Sequence, residues 1–256
     1  MQPSEIKVLP DVAAIAREAA DRIVVAAAEA IVLKESFSLA LAGGSTPKVL
    51  YELLGSEPYK SKIDWIHTEI FFGDERGVPP DHPDSNYAMA RRTLLSAVPI
   101  PGDNVYRMKG ELDAPEAAKA YGLMLKEKFG DGGVDLALLG LGDDAHTASL
   151  FPGSPAISER EHRVVGQFVQ NSTTGPSWRI TMTAPFLNRS RAVLFMVAGE
   201  NKSEAVRQVL EGPYEPERYP AQLIDSDKTR VIWLLDPGAA GMYDDDDGRD
   251  VATWEV

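Results

Sequence analysis

Apolar runs that stop abruptly at glycine- or aspartate-rich breaks are the strongest constraint on how this chain can fold. Phe37–Ala42 runs into Gly43-Gly44-Ser45-Thr46-Pro47, and Trp65–Phe72 into Gly73-Asp74-Glu75-Arg76. Val134–Leu141 runs into Gly142-Asp143-Asp144-Ala145-His146, and Ala192–Ala198 into Gly199-Glu200-Asn201-Lys202. None of these runs alternates cleanly between apolar and polar residues, which is the pattern of strands covered on both faces. Helical patterns fall between them. Residues 11–34 carry Val12, Ile15, Ala19, Ile23, Ala26 and Ala30 near helical spacing, and 48–54, 86–97, 115–129 and 201–210 also read as helix. Residues 163–169, 179–182 and 230–235 are further strand candidates. Strands interleaved with helices predict an α/β fold: a doubly wound, mostly parallel sheet with helices on both faces. In such a sheet ligands bind beyond the carboxyl ends of the strands, which is where the breaks lie.

Composition narrows the classes further. The chain has 256 residues, of which 44% are hydrophobic and 25% charged, enough for a substantial core. One domain is expected over residues 1–240, followed by an acidic tail at 241–256. The net charge of −13 argues against a duplex-binding protein, which needs a basic face. One small dianionic phosphate needs only a local cluster of donors. The absence of cysteine excludes disulfides and thiolate chemistry. His67, His82, His146 and His162 form no metal-ligand spacing, so no metal is expected. No apolar run approaches the ~20 residues that span a bilayer, and the first residues lack a signal-peptide pattern. A cytoplasmic protein that binds neither membrane nor nucleic acid, either monomeric or a weak homodimer, is the expectation. The run Asp244-Asp245-Asp246-Asp247-Gly248 superficially resembles a calcium loop. With Gly248 at loop position six, however, Tyr243 and Trp254 fall where oxygen ligands are required.

The breaks carry the candidate chemistry, at a phosphate end and a reactive end. At Gly43–Pro47, Thr46 reads as an N-cap and Pro47 as the first helical residue, so the N–H groups of the helix start face the strand's carboxyl edge. Two glycines permit close approach of an anion, and two hydroxyls add donors. The same residues also suit a plain strand–helix turn. Neither a P-loop nor Gly-x-Gly-x-x-Gly is present, which leaves nucleotide binding without support. Arg179, in an apolar strand, and Lys202, at a helix start, are cations in places that favour a shared anion, although each read in isolation is more simply a solvated surface charge.

At the second break His146 is delivered to the same sheet edge, with Asp144 close enough to orient it. An imidazole suits general-base work at neutral pH, while a lone histidine is often structural. Asp74 and Arg76 also follow a strand. They serve either as a carboxylate for sugar hydroxyls and a guanidinium for an oxyanion, or as a loop salt bridge. No Gly-x-Ser-x-Gly elbow supports a serine hydrolase.

Taken together, Leu39–Leu54 (LALAGGSTPKVLYELL), Ile70–Ala88 (IFFGDERGVPPDHPDSNYA), Asp135–Gly153 (DLALLGLGDDAHTASLFPG), Arg179–Thr183 (RITMT) and Val197–Leu210 (VAGENKSEAVRQVL) resemble the 6-phosphogluconolactonase family. The stretches are collinear and reach to about residue 235. The resemblance implies a fold like that of glucosamine-6-phosphate deaminase. It implies a phosphate cradle of Gly43, Gly44, Ser45, Thr46, Arg179 and Lys202, and water activation by His146, beside which the residues themselves place Asp144, Asp74 and Arg76 as supporting groups. It implies hydrolysis of a sugar-phosphate lactone with no cofactor. Two other readings share the scaffold. One is an amino-sugar-phosphate isomerase/deaminase, disfavoured because Thr147-Ala148-Ser149-Leu150-Phe151 replaces that family's acid-bearing segment. The other is a non-catalytic sugar-phosphate sensor, which needs no histidine base. Ala145 departs from the glycine usual at its position in the family, at a cost of roughly 1 kcal/mol if φ there is positive. Asp143, where Glu is common, is a smaller change.

Overall fold

A computed structural model describes residues 4–170 and 175–241. Most of the acidic tail, from residue 242 onward and including the calcium-like run, lies outside the described residues. Six strands form one wholly parallel sheet: β1 (Glu5–Val8), β2 (Phe37–Leu41), β3 (Thr68–Phe72), β5 (Leu136–Leu139), β8 (Ala192–Val197) and β9 (Arg230–Leu235). Their order across the sheet is β1-β9-β8-β5-β2-β3. All five residues of β2 and all four of β5 are buried, as the unbroken apolar runs require.

The strand order reverses between β2 and β5. The chain steps from β2 outward to β3, then returns to the other side of β2 with β5 and continues outward through β8 and β9. Neighbouring strands whose connections leave in opposite directions open a crevice at their carboxyl ends. The segments that follow β2 and β5 are the Gly43 break and the His146 break.

The chain departs from the expected single sheet in one region. Asp74–Arg76, read from the sequence as loop, forms β4. It pairs antiparallel with β7 (Ser177–Met182), which pairs antiparallel with β6 (Val164–Val169). Strands as short as β4 exist only where a neighbour supplies the ladder, so no local pattern marks them. β1 was likewise unpredicted. Its four residues carry two charges and become a strand by pairing with β9 at the sheet edge.

α1 (Val12–Lys34) begins where Asp11 accepts a hydrogen bond from the Ala14 N–H at 2.7 Å, and it buries Ile15, Ala19, Ile23, Ala27 and Ala30 on one stripe. It packs on α2 (Ser45–Leu54) and over β2 and β9, with the one-turn α3 (Tyr59–Lys62) beside it. α2 starts at Ser45 rather than Pro47, and Thr46 is not its cap. Gly44 occupies the cap position with no side-chain bond. The expected helix at 86–97 is a five-residue α4 (Asn86–Ala90) continued by a π-turn at Arg91–Leu95. α5 (Ala114–Phe129) covers β6 and β7. The short α6 (Ala184–Leu187) follows β7, and α7 (Ser203–Leu210) follows β8 after a tight turn through Lys202. No helix among the described residues is long and apolar enough to cross a membrane.

Candidate active site

A cleft of about 250 Å³ opens at the carboxyl ends of β2, β5 and β8. That is somewhat below the ~300–1,000 Å³ typical of drug-sized ligands and suits a small one. Gly43, Gly44, Ser45 and Thr46 line it together with Asp74, Arg76, His146, Arg179 and Lys202. Asp144 stands behind His146 rather than on the cleft wall.

At one end the chain turns from β2 into α2 through Gly44, whose φ of +105° is open only to glycine at low cost. The first turn of α2 has no side-chain cap and lines the cleft with Ser45 and Thr46, so a helix start and two hydroxyl-bearing residues border it, an arrangement suited to an anion. Tyr51, buried in α2, fixes this turn by donating from its hydroxyl to the Ala42 carbonyl at 2.8 Å and accepting from the Ala42 N–H at 2.9 Å. Arg179 is buried on β7, directly opposite Arg76 of β4 in the antiparallel register. Lost hydration and the Arg76 charge both push its pKa below that of an ordinary arginine. Side chains of directly opposed residues emerge on the same face. Two guanidiniums so placed favour a nearby anion.

At the other end the turn after β5 is closed by two backbone bonds, Gly142 N–H to His146 carbonyl at 2.8 Å and Ala145 N–H to Gly142 carbonyl at 3.0 Å. It is so tight that a Cβ on Gly142 would lie 2.0 Å from His146 Nδ1. Ala145 sits at φ +61° and Ala148 at +47°, so both alanines flanking the histidine hold left-handed backbone. Such residues cost about 1–2 kcal/mol each and persist only where surroundings over-determine them. Here the Ala145 carbonyl accepts from the Ala221 N–H at 3.0 Å, and the Thr147 hydroxyl donates to the Gly140 carbonyl at 2.9 Å. The condition under which Ala145 carries a backbone cost, a positive φ, is met.

His146 Nδ1 lies 2.6 Å from Asp144 Oδ1, and the imidazole stacks on Phe151 with ring centroids 4.2 Å apart. Burial raises the Asp144 carboxyl, but the hydrogen bonds and charge of His146 outweigh it and hold the group below its ordinary range. An ionised Asp144 only accepts, so Nδ1 is the donor towards it, and in the neutral imidazole this leaves the lone pair on Nε2.

Asp74 is buried between two donors. Ser149 Oγ donates to its Oδ2 at 2.6 Å and Asn86 Nδ2 to its Oδ1 at 3.0 Å. Arg76 donates to the Asp84 carbonyl. Lys202 pairs with Asp143, whose carboxyl the ammonium lowers. Among the described residues no group of three or more His, Asp or Glu side chains is placed to hold a metal ion.

A family model described as glucosamine-6-phosphate isomerases/6-phosphogluconolactonase matches residues 10–233. The chain belongs to this family. A 6-phosphogluconolactonase of Nostoc sp. is 39% identical over 240 residues, covering 91% of this chain and 96% of the relative. The solved 6-phosphogluconolactonase of Trypanosoma brucei superposes with a TM-score of 0.83 at 31% identity, covering 93% of this chain and 98% of that one. A monomeric glucosamine-6-phosphate deaminase has a TM-score of 0.80 at 22% identity, covering 93% of this chain and 100% of that one, a likeness of fold alone.

Within this family fold, sequence reasoning missed Asn86 and Ser149, the partners of Asp74. It also missed Glu75, a buried carboxylate that accepts from the N–H groups of Arg76, Asn86 and Tyr87 and from the Ser85 hydroxyl. Burial pushes Glu75 above the ordinary range despite these four bonds, and the group clamps the start of α4 rather than facing the cleft. The only local signal for it was an acid three residues beyond a buried strand.

Proposed function

We propose that the chain hydrolyses 6-phospho-D-glucono-1,5-lactone to 6-phospho-D-gluconate, the second step of the oxidative pentose phosphate pathway. The observation that carries this reading is a histidine with one nitrogen committed to Asp144, on the same cleft as the glycine turn and uncapped start of α2. The names of relatives at 31–41% identity support it.

The substrate phosphate is held by Gly43, Gly44, Ser45 and Thr46 with Arg179 and Lys202, which fixes the ring so that C1 lies near His146. His146 Nε2 takes a proton from water as its oxygen attacks the C1 carbonyl. Arg76 or backbone N–H groups stabilise the tetrahedral oxyanion. Collapse of the intermediate breaks the bond from C1 to the ring oxygen, and the imidazolium returns the proton to that oxygen. Asp144 stabilises the imidazolium, and Asp74 orients sugar hydroxyls. No electrons move between partners, so the step itself calls for no redox cofactor.

The test is a coupled assay in which the lactone is generated in situ and its loss compared with spontaneous opening. Loss well above background is expected, with no ammonia released from glucosamine 6-phosphate. Loss at the background rate would refute the reading.

A further inference from the structure

Lys202, a cation of the phosphate end, is engaged by a carboxylate from the reactive end. Its Nζ donates to Asp143 Oδ1, and Asn201 Nδ2 donates to the same oxygen at 3.0 Å. The two residues are separated by 59 positions, so the contact ties the turn after β5 to the turn after β8. Both Asp143 and Lys202 line the cleft with Gly43–Thr46. The Asp143 side chain is 56% exposed, so no core packing holds it on the lysine. Asp143 is a carboxylate at neutral pH, and the Lys202 contact lowers its pKa further, so an arriving phosphate dianion meets a like charge already seated on its cation.

We propose that Asp143 competes with the substrate phosphate for Lys202 and thereby limits how tightly the cleft holds a phosphate monoester. The inference rests on the reading above that Lys202 belongs to the phosphate end. A phosphate oxygen and the Asp143 carboxylate are both acceptors for one ammonium, and closer engagement of one loosens the other. Restraint of this kind matters most for the product. Hydrolysis turns a neutral lactone carbonyl into a carboxylate, so the product carries one more negative charge than the substrate and gains attraction for Arg76 and Arg179. A standing competitor at the phosphate end keeps that gain from slowing release. Asp143 acts through Lys202 and is a positioning residue, not a catalytic one.

The test is calorimetric titration of inorganic phosphate and of 6-phosphogluconate into the wild type, Asp143→Asn, Lys202→Ala and the double variant. Asp143→Asn is expected to bind both ligands about three- to fivefold tighter, the scale of a partly exposed ion pair. In steady state it lowers KM and strengthens product inhibition without raising kcat. In the Lys202→Ala background the same substitution is expected to change affinity less than twofold. Unchanged or weaker binding by Asp143→Asn overturns the proposal. So does an equal gain in both backgrounds, because the carboxylate then acts on the phosphate directly. If Lys202→Ala binds phosphate as well as the wild type, the phosphate-end reading fails together with the competition. If Lys202→Ala binds weakly while Asp143→Asn is neutral, only the competition fails.

Discussion

The turn that follows β2 and the turn that follows β5 lie on neighbouring strands and face one cleft, yet their backbones are built differently. In the first, the positive φ falls on Gly44, and the residues after it enter α2 directly. In the second, positive φ falls on Ala145 and Ala148, both of which carry a Cβ. The glycine turn presents the main-chain N–H groups of a helix start in relaxed geometry and carries no titrating side chain of its own. The histidine turn aims one side chain at one point. It holds that aim through strain offset by buried bonds to Gly140, His146 and Ala221. The difference teaches that presenting backbone dipoles needs only a relaxed turn, whereas aiming one side chain needs an over-determined loop.

The contrast breaks most sharply at His146. His146→Ala is expected to lower kcat by about 10²–10⁴-fold while leaving 6-phosphogluconate affinity within a few-fold. Near-normal turnover in the lactone assay would remove the base from this turn. Arg179→Ala is the complementary change. Losing a buried charge-assisted contact should raise KM by roughly 10- to 100-fold with a smaller effect on kcat. An unchanged KM would put the phosphate elsewhere.

Ala145→Gly tests the strain itself. Relief of the left-handed alanine, less the entropy of an added glycine, should raise stability in urea unfolding by up to about 1 kcal/mol. Lower stability would mean that the buried Ala145 methyl contributes more through packing than its backbone costs.

The smallest expected effect concerns pH. Asp144 is held below its ordinary carboxyl range, so its ionised form stabilises the fold above that range, near pH 3.9, and the contribution fades as pH falls through the lowered folded value. Asp144→Asn should therefore flatten the loss of stability below about pH 4 by less than about 1 kcal/mol, given its partial exposure. Substitutions in Gly43–Thr46 should leave that acid limb unmoved, because the segment contains no group that titrates there.

The histidine turn and the glycine turn were both legible in the sequence, because each is announced by a buried run that stops at residues unfit to continue a strand. The same local logic gave α1, α5 and the doubly wound sheet. It failed at β4 and at β1, whose strand character comes from β7 and β9 rather than from their own residues. It misplaced the start of α2 because Thr46-Pro47 satisfies a capping pattern that Gly44 pre-empts.

From the order of its residues alone, this chain determines the buried strands of the parallel sheet, its long helices and which side chains stand at those strand ends. Those choices depend on neighbours a few positions away, through backbone sterics and the period of apolar burial. Only the tertiary structure decides that Asp74 is gripped by Ser149, 75 residues on, that Arg179 stands opposite Arg76, and that Asp143 holds Lys202. Such partners are set by how the two sheets and their crossovers pack, and no spacing in the sequence encodes a contact between segments that meet only once the core has closed.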